Sequence, residues 1–201
     1  MYISIIRSLI TNEKEGELNT DDFMQMHKAV ESYLKRLLLI ALRRKGISYK
    51  NCQEVIKSSF LANDKLFNKV IVLLDELKSS ETYKNDTLNV NILFDLFKNF
   101  SSVFRNKVVH GVITEINDKE VLKYCILINK NLIIKIEESL SSVYENKALE
   151  ELKNWKFERN QANENISVEN IIRKYNLGGL TKKAKSKTSV RDNLKLIGII
   201  K

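Results

Sequence analysis

The sequence predicts an all-α protein: an up-and-down antiparallel helical bundle with appended C-terminal helices and a basic tail. The 201 residues include no proline, so the commonest helix-breaking residue is absent. Apolar residues recur at intervals of three and four through most of the chain. The connections between these segments are short, which favours antiparallel packing of consecutive helices. The composition, 43% hydrophobic and 29% charged, is ordinary for a globular protein.

The first helix is predicted to cover residues 20–45. Thr20 is placed to cap its first turn, where Asp21 and Asp22 face the positive end of the helix dipole. Gly46 follows a basic last turn and is suited to end the helix. The apolar stripe of this helix consists of Phe23, Val30, Leu34, Leu37 and Ala41.

Two shorter helical segments are predicted at residues 49–62 and 65–79. A further helix begins near residue 89 and stops at Gly111. Its large apolar residues recur at three- and four-residue intervals, which predicts that they line the core. They are Leu93, Phe97, Phe100 and Phe104, with Leu93 leading the stripe.

The last long helix is predicted to begin at Asn117, with Glu120 as its capping-box partner, and to continue past residue 144. Shorter helices are expected at residues 149–157 and 168–175. Beyond these the chain becomes basic and poor in apolar residues. A short strand near the C-terminus is the one β segment that the pattern allows.

We expect residues 1–147 to form the bundle, and residues 148–201 to form the appended helices and the tail. The formal charge of +9 is concentrated in the tail, because residues 173–201 hold nine Lys or Arg and one acid, Asp192. A nearly neutral body with a basic tail indicates attraction to a polyanion. The alternative is a solvated tail that only aids solubility.

Cys52 and Cys125 are isolated in the sequence, which is typical of reduced, partly buried thiols in a cytoplasmic protein. The sequence contains no group of His, Cys, Asp or Glu residues with the spacing of metal ligands, so we expect neither a metal nor another cofactor. The apolar N-terminus is short and contains Arg7, which is unlike a signal peptide. No apolar run is long enough to predict a membrane span.

Residues 105–111 read Arg-Asn-Lys-Val-Val-His-Gly, and we refer to them as the Arg–His motif. An arginine can hold a phosphate, an asparagine can donate a hydrogen bond, and a histidine can exchange a proton near neutral pH. Asn106 and His110 are four residues apart and therefore share one face of a helix. The long side chain of Arg105 can reach the same face. Together these groups suit RNA cleavage, in which the 2′-hydroxyl supplies the nucleophile.

The motif resembles the Arg-Asn-x-x-x-His signature of the HEPN superfamily, many of whose members are ribonucleases. It also ends an apolar helix and precedes another long one, as in that family's four- or five-helix bundles. The order of helices over residues 20–146 is similar. Some HEPN toxins carry a Tyr two residues beyond the His, where they are modified. Here Val112 occupies that position, so the resemblance gives no support for such control.

The resemblance implies a cytoplasmic, metal-independent endoribonuclease that acts as a toxin or in defence against phage. In this family two motif helices face each other in a homodimer, so the shared cleft gains two His and two Arg. The implied products are a 2′,3′-cyclic phosphate and a 5′-hydroxyl. An antitoxin or another defence component is a further expected partner, besides RNA.

Arg105, Asn106 and His110 are the expected catalytic residues, and Glu31, on the first helix, is expected to orient Arg105 or His110. The alternative for Glu31 is a surface pair with Lys35. His27 is expected to be a partly buried structural residue. The cations expected to bind RNA are Lys107, Lys182, Lys183, Lys185, Lys187 and Arg191.

Two other functions fit the same sequence. The protein could be a HEPN-fold module that binds RNA or a nucleotide without cutting it. It could also be a helical interaction subunit in which Arg105 and His110 are structural. Arg105 and His110 open to a basic cleft at a two-fold interface would favour cleavage or binding, whereas burial of both inside a single bundle would favour the structural role.

Overall fold

The computed structural model describes residues 18–57, 81–141, 167–174 and 184–201. Within these ranges the chain forms α-helices, a single turn of π-helix and loops, with no β-strand, so the all-α prediction is confirmed. The elements are α1 (Thr20–Arg44), α2 (Tyr49–Lys57), α3 (Glu81–Leu96), the π-turn (Phe97–Ser101), α4 (Ser102–Val109), α5 (Lys119–Ser141), α6 (Val168–Lys174) and α7 (Lys187–Leu196). The helices predicted at residues 65–79 and 149–157 lie outside the described residues.

The chain divides into two compact units, each assembled from separate stretches. Unit one comprises Met1–Val30, Asn85–Ser139 and Lys182–Lys201, whereas unit two comprises Glu31–Lys84 and Leu140–Thr181. Helix α1 contributes to both, because the division falls between Val30 and Glu31. The expected boundary near residue 147 stays a prediction.

Helix α1 has the predicted extent but a different N-cap. Asn19 and Asp22 bond each other reciprocally: each backbone N–H donates to the other's side-chain oxygen, both at 3.0 Å. This is the geometry of a capping box, with Asn19 as the cap. Thr20 instead accepts a 2.9 Å hydrogen bond from the N–H of Ile116, so the prediction of a Thr20 cap is wrong. The helix ends at Arg44, and Gly46, at φ 78°, is the left-handed residue that terminates it, as predicted.

The core of unit one is built from α1, α3, the π-turn, α5 and α7. Leu93, Phe97 and Phe100 are buried as predicted, but Phe104 is only half-buried. The π-turn interrupts the helix between these residues, and the Phe104 ring lies against that of Phe100 with centroids 5.1 Å apart. Other fully buried side chains of this unit are those of Phe23, Val30, Leu96, Cys125, Ile128, Leu132, Val190 and Leu194.

Helix α5 begins two residues later than predicted, because Asp118 caps it. The Asp118 carboxylate accepts hydrogen bonds from the N–H groups of Glu120 at 3.0 Å and Val121 at 3.1 Å. The prediction of Asn117 as the first residue is therefore wrong, and Glu120 is not a capping-box partner. Its carboxylate instead accepts a 2.6 Å hydrogen bond from the hydroxyl of Tyr124.

Unit two is described through the second half of α1, α2 and α6. Ser48 caps α2, since its hydroxyl accepts a 3.1 Å hydrogen bond from the N–H of Asn51. Helix α2 packs against α6, where Ile171 is fully buried. Helix α6 confirms the segment predicted at residues 168–175.

The C-terminal segment is a helix rather than an irregular tail ending in a strand. The Ser186 hydroxyl caps α7 by accepting a 3.2 Å hydrogen bond from the N–H of Ser189. Val190 and Leu194, four residues apart, are completely buried. Gly198 then adopts φ 72° and ends the helix in a left-handed turn. The sequence predicted a basic tail with a short strand instead of this helix, because α7 has only two buried apolar residues among many polar ones.

Candidate functional site

The Arg–His motif occupies the end of α4 and the turn that follows it. Val112 N–H donates to Lys107 C=O at 2.8 Å, and Gly111 N–H donates to Val108 C=O at 3.1 Å. These two bonds form a Schellman motif, with Gly111 at φ 67° as the left-handed residue. The helix end is therefore well defined, and His110 is its C-cap at φ −90° and ψ 9°.

The polar side chains of the motif lie at the surface of unit one. Arg105 is partly buried and donates a 3.1 Å hydrogen bond through Nη1 to Asn106 Oδ1. The imidazole of His110 is exposed, and its backbone N–H donates to Asn106 C=O at 2.9 Å. Asn106 thus links the other two predicted catalytic residues, by its side chain to Arg105 and by its main chain to His110.

Apolar groups surround this polar cluster. The Lys107 ammonium lies 4.9 Å from the centre of the Phe104 ring, a distance at which a cation and an aromatic face attract each other. Val109 is 50% exposed and Val112 is 69% exposed, on either side of His110. Large exposed apolar groups next to a polar site are typical of surfaces that meet a partner.

In the core of unit one, a fully buried polar network joins three elements. The Nδ1 atom of His27 lies 3.1 Å from Ser101 Oγ, and Asn129 Nδ2 donates to the same oxygen at 2.6 Å. Asn129 Nδ2 also donates to Cys125 C=O at 2.6 Å. The His27 ring stacks on Phe97 with a centroid distance of 4.6 Å. We refer to these three side chains as the His27–Ser101–Asn129 network.

Sequence reasoning missed this network almost entirely. His27 was expected to be partly buried, yet none of its surface is exposed, and the same is true of Ser101 and Asn129. The signal in the sequence was a polar residue on an otherwise apolar helix face. Each network residue shares its face with a buried apolar residue four positions earlier in the chain: Phe23 for His27, Phe97 for Ser101 and Cys125 for Asn129.

Two of the lysines expected to bind RNA form ion pairs within unit one. Lys185 Nζ lies 2.6 Å from Asp95 Oδ2, and Asn99 donates to the other oxygen of that carboxylate at 2.6 Å. Lys187 Nζ lies 2.9 Å from both Asp118 Oδ2 and Glu120 Oε2. These contacts connect the C-terminal segment to the end of α3 and to the start of α5.

The Lys187 cluster shifts the titration of its members. The Lys187 ammonium, as a hydrogen-bond donor, lowers the pKa of Asp118. The hydrogen bond from Tyr124, followed by that from Lys187, lowers the pKa of Glu120. Conversely, the two carboxylates raise the pKa of Lys187, with Asp118 contributing most. Burial, followed by its bond to Glu120, raises the pKa of Tyr124.

The remaining predicted site residues are Arg191, Lys182, Lys183 and Glu31. Arg191 is exposed, with Nε 3.7 Å from Asp192 Oδ1, and Lys182 and Lys183 lie outside the described residues. Glu31 is half-buried and belongs to unit two, whereas the motif belongs to unit one. Its assignment to the site stays a prediction.

Neither cysteine has the properties of a nucleophile. Cys52 and Cys125 are both buried free thiols. Burial raises the pKa of Cys52 to about 12 and also raises the pKa of Cys125. Both are therefore protonated at neutral pH, as expected for structural cysteines.

A cavity of about 490 Å³ in unit one lies between the start of α1 and the start of α5. Its apolar lining includes Leu122 and Ile126, and Lys119, Lys123 and Glu115 also contribute. No histidine or cysteine lines it. The cavity thus lacks the proton-exchanging group that distinguishes the Arg–His motif.

Over the described ranges, no three His, Cys, Asp or Glu side chains come together as a metal site would require. None of the helices described combines the length and apolarity needed to cross a membrane. Comparison of the chain with protein families, curated proteins and solved structures found no match.

Proposed function

We propose that this protein is a metal-independent endoribonuclease of the HEPN type. The observation that carries the proposal is the grouping of Arg105, Asn106 and His110 at one exposed helix end. Arg105 is suited to bind the scissile phosphate, because a guanidinium presents several N–H donors to phosphate oxygens. Asn106 holds the Arg105 side chain in place through their 3.1 Å hydrogen bond.

In this reaction, a base removes the proton of the 2′-hydroxyl, and the oxygen then attacks the adjacent phosphorus. The bond to the 5′-oxygen breaks, and an acid protonates the leaving oxygen. The products are a 2′,3′-cyclic phosphate and a 5′-hydroxyl. The exposed imidazole of His110 is suited to either proton transfer, and Arg105 to stabilising the charge on the phosphorane.

The test is incubation of pure protein with total RNA in the presence of EDTA, with mapping of the cut ends. We expect wild-type protein to produce 2′,3′-cyclic phosphates. His110→Ala and Arg105→Ala should each lower the rate by about 10²–10⁴-fold, because each removes a group that acts on the transition state. Both side chains reach the surface, so circular dichroism should show an unchanged fold. Cleavage that persists in both variants would place the active site elsewhere.

A homodimer would complete the site, since one imidazole cannot easily serve as base and acid in the same step. The exposed Val109 and Val112 beside His110 support a self-complementary contact at the motif. We expect Val112→Asp to produce monomers in light scattering and to abolish cleavage. Leu196→Asp is the matched control, because Leu196 is 71% exposed on α7. A wild-type protein that is monomeric and fully active would contradict the dimer.

The biological role that follows from such an activity is that of a toxin or a phage-defence effector. Expression of the wild-type protein should then slow growth of the host, and expression of His110→Ala should not. RNA binding without cleavage by the wild-type protein would instead favour a binding module.

A further inference from the structure

We propose that Ser101 is a positioning residue for the Arg–His motif. Its hydroxyl, held by His27 and Asn129, fixes the π-turn and thereby the helix face that carries Arg105, Asn106 and His110. The inference rests on the proposed function for its consequence in cleavage, although its structural part can be tested without RNA.

The π-turn changes the direction of every side chain that follows it. Ser102 N–H donates to Phe97 C=O, five residues back, which is the hydrogen-bond pattern of a π-helix. One extra residue in a turn rotates the rest of the helix by about 100° relative to an uninterrupted α-helix. Arg105 then takes the angular place that Phe104 would otherwise have.

The side chains at the start of α4 are less buried than the stripe that precedes the turn. In an uninterrupted helix, Phe104 would continue the buried stripe of Phe97 and Phe100, and Arg105 would lie well to one side. In the structure, Phe104 and Arg105 both have intermediate exposure, whereas Phe97 and Phe100 are buried. The Phe104 ring lies against that of Phe100, with centroids 5.1 Å apart, and the Arg105 guanidinium donates to Asn106.

Ser101 is the point at which the core holds the π-turn. It is the last residue of the turn and is completely buried, and its Oγ lies within hydrogen-bonding distance of both His27 and Asn129. Conversion of the turn to α-helix would rotate Ser101 away from both partners. Buried polar groups that lose their partners are costly, so the network opposes that conversion.

A backbone hydrogen bond to the π-turn offers a reporter. The carbonyl of Asn99, in the middle of the π-turn, accepts a 2.9 Å hydrogen bond from the backbone N–H of Lys185. Hydrogen exchange of the Lys185 amide therefore reports whether the turn keeps its shape. This amide belongs to the C-terminal segment, so it is remote in sequence from the substituted residue.

The experiment compares Ser101→Ala with Ser102→Ala in the full chain. Ser102 is the neighbouring serine, is also buried, and lies outside the network, so it is a matched control. Backbone chemical shifts of residues 97–110 and exchange of the Lys185 amide are measured by NMR. We expect Ser101→Ala to accelerate that exchange about tenfold or more, as for loss of a stabilising hydrogen bond, and to shift the Arg105 and His110 resonances. Ser102→Ala should change neither.

A second pair of variants separates the hydroxyl from the change in volume. Thr and Val have nearly the same shape, but only Ser101→Thr keeps a hydroxyl for the network. We expect Ser101→Thr to resemble the wild type in the NMR measurements and Ser101→Val to resemble Ser101→Ala. Equal behaviour of the Thr and Val variants would overturn the role of the hydroxyl.

Cleavage kinetics test the consequence for the site. We expect Ser101→Ala to lower kcat by about 100-fold, as a small misplacement of catalytic groups does, with KM nearly unchanged and with rescue by Thr. Altered NMR signals with unaltered kcat would overturn the positioning role. If the wild type does not cleave RNA, the proposed function fails, and the NMR comparison still decides whether Ser101 holds the π-turn.

Discussion

Gly111 directly follows His110 and determines how the motif helix ends. Its φ of 67° lies in the left-handed region, where residues with a Cβ are strained. Apart from the two neighbouring residues in the chain, no atom of the described residues lies within 4 Å of the place where a Cβ would stand, so the cost of a side chain comes from the backbone and not from crowding. This position therefore separates a conformational effect from a packing effect.

Gly111→Ala should lower the free energy of unfolding by about 1–2 kcal/mol, because alanine is strained in the left-handed region. Gly111→Asn should cost less, since asparagine adopts this conformation more readily. Urea denaturation followed by circular dichroism measures both values. Equal costs for the two variants would indicate that the strained backbone is not what Gly111 relieves.

Sequence patterns at single residues predicted the C-terminal ends of α1 and α4 better than the N-caps or the buried polar network. Gly46 and Gly111 end their helices as predicted, because few residues other than glycine adopt the left-handed conformation. Asn19 and Asp118 replace the predicted caps at Thr20 and Asn117, because neighbouring polar residues compete for one role. Which of the neighbouring residues becomes the N-cap depends on tertiary contacts such as that of Thr20 with Ile116.

At the scale of elements, the π-turn and α7 are the features that local sequence did not predict. An uninterrupted periodicity of 3.6 residues predicts a buried stripe that continues through Phe104. The residues of the stripe are buried as far as Phe100, but Phe104 is only half-buried. The turn depends on buried partners from α1 and α5, which are distant in sequence. Helix α7 likewise depends on burial of Val190 and Leu194, and not on its own weak apolar pattern.

The Lys187 cluster should make the docking of α7 sensitive to acid. The pKa values of Asp118 and Glu120 are lowered below their ordinary values of 3.8 and 4.5, so their contribution to stability is fully present above those values. It is lost as the pH falls through the lower values of the folded state. The pKa of Lys187 is raised, so the contribution of this lysine to stability is present at neutral and acidic pH and is lost only under strongly basic conditions.

We therefore expect the wild-type free energy of unfolding to fall between about pH 5 and pH 3 more steeply than that of Asp118→Asn/Glu120→Gln. Asparagine caps a helix as well as aspartate does, so the double variant removes charge and keeps the α5 cap. Urea denaturation across this pH range gives both profiles. Parallel profiles would show that the cluster contributes no acid sensitivity.

At the scale of the whole molecule, positive charge is not confined to the C-terminal segment. Residues 31–57 and 167–174 of unit two hold nine Lys or Arg and three Glu. Lys50 and Lys57 on α2 are exposed and seven residues apart, so they share one helix face, on which Glu54 also lies. Lys185 and Lys187, in contrast, are engaged with acids of unit one.

The two pairs of lysines should therefore differ in their effects on RNA binding. In a His110→Ala background, which separates binding from cleavage, we expect Lys50→Ala/Lys57→Ala to weaken binding to single-stranded RNA. The slope of log affinity against log salt should fall by about 1.4, as for two lost phosphate contacts. We expect Lys185→Ala/Lys187→Ala to change this slope less and to lower the melting temperature more, because those lysines hold α7 in place. A reduced salt slope and an unchanged melting temperature for Lys185→Ala/Lys187→Ala would instead indicate that the C-terminal segment binds RNA.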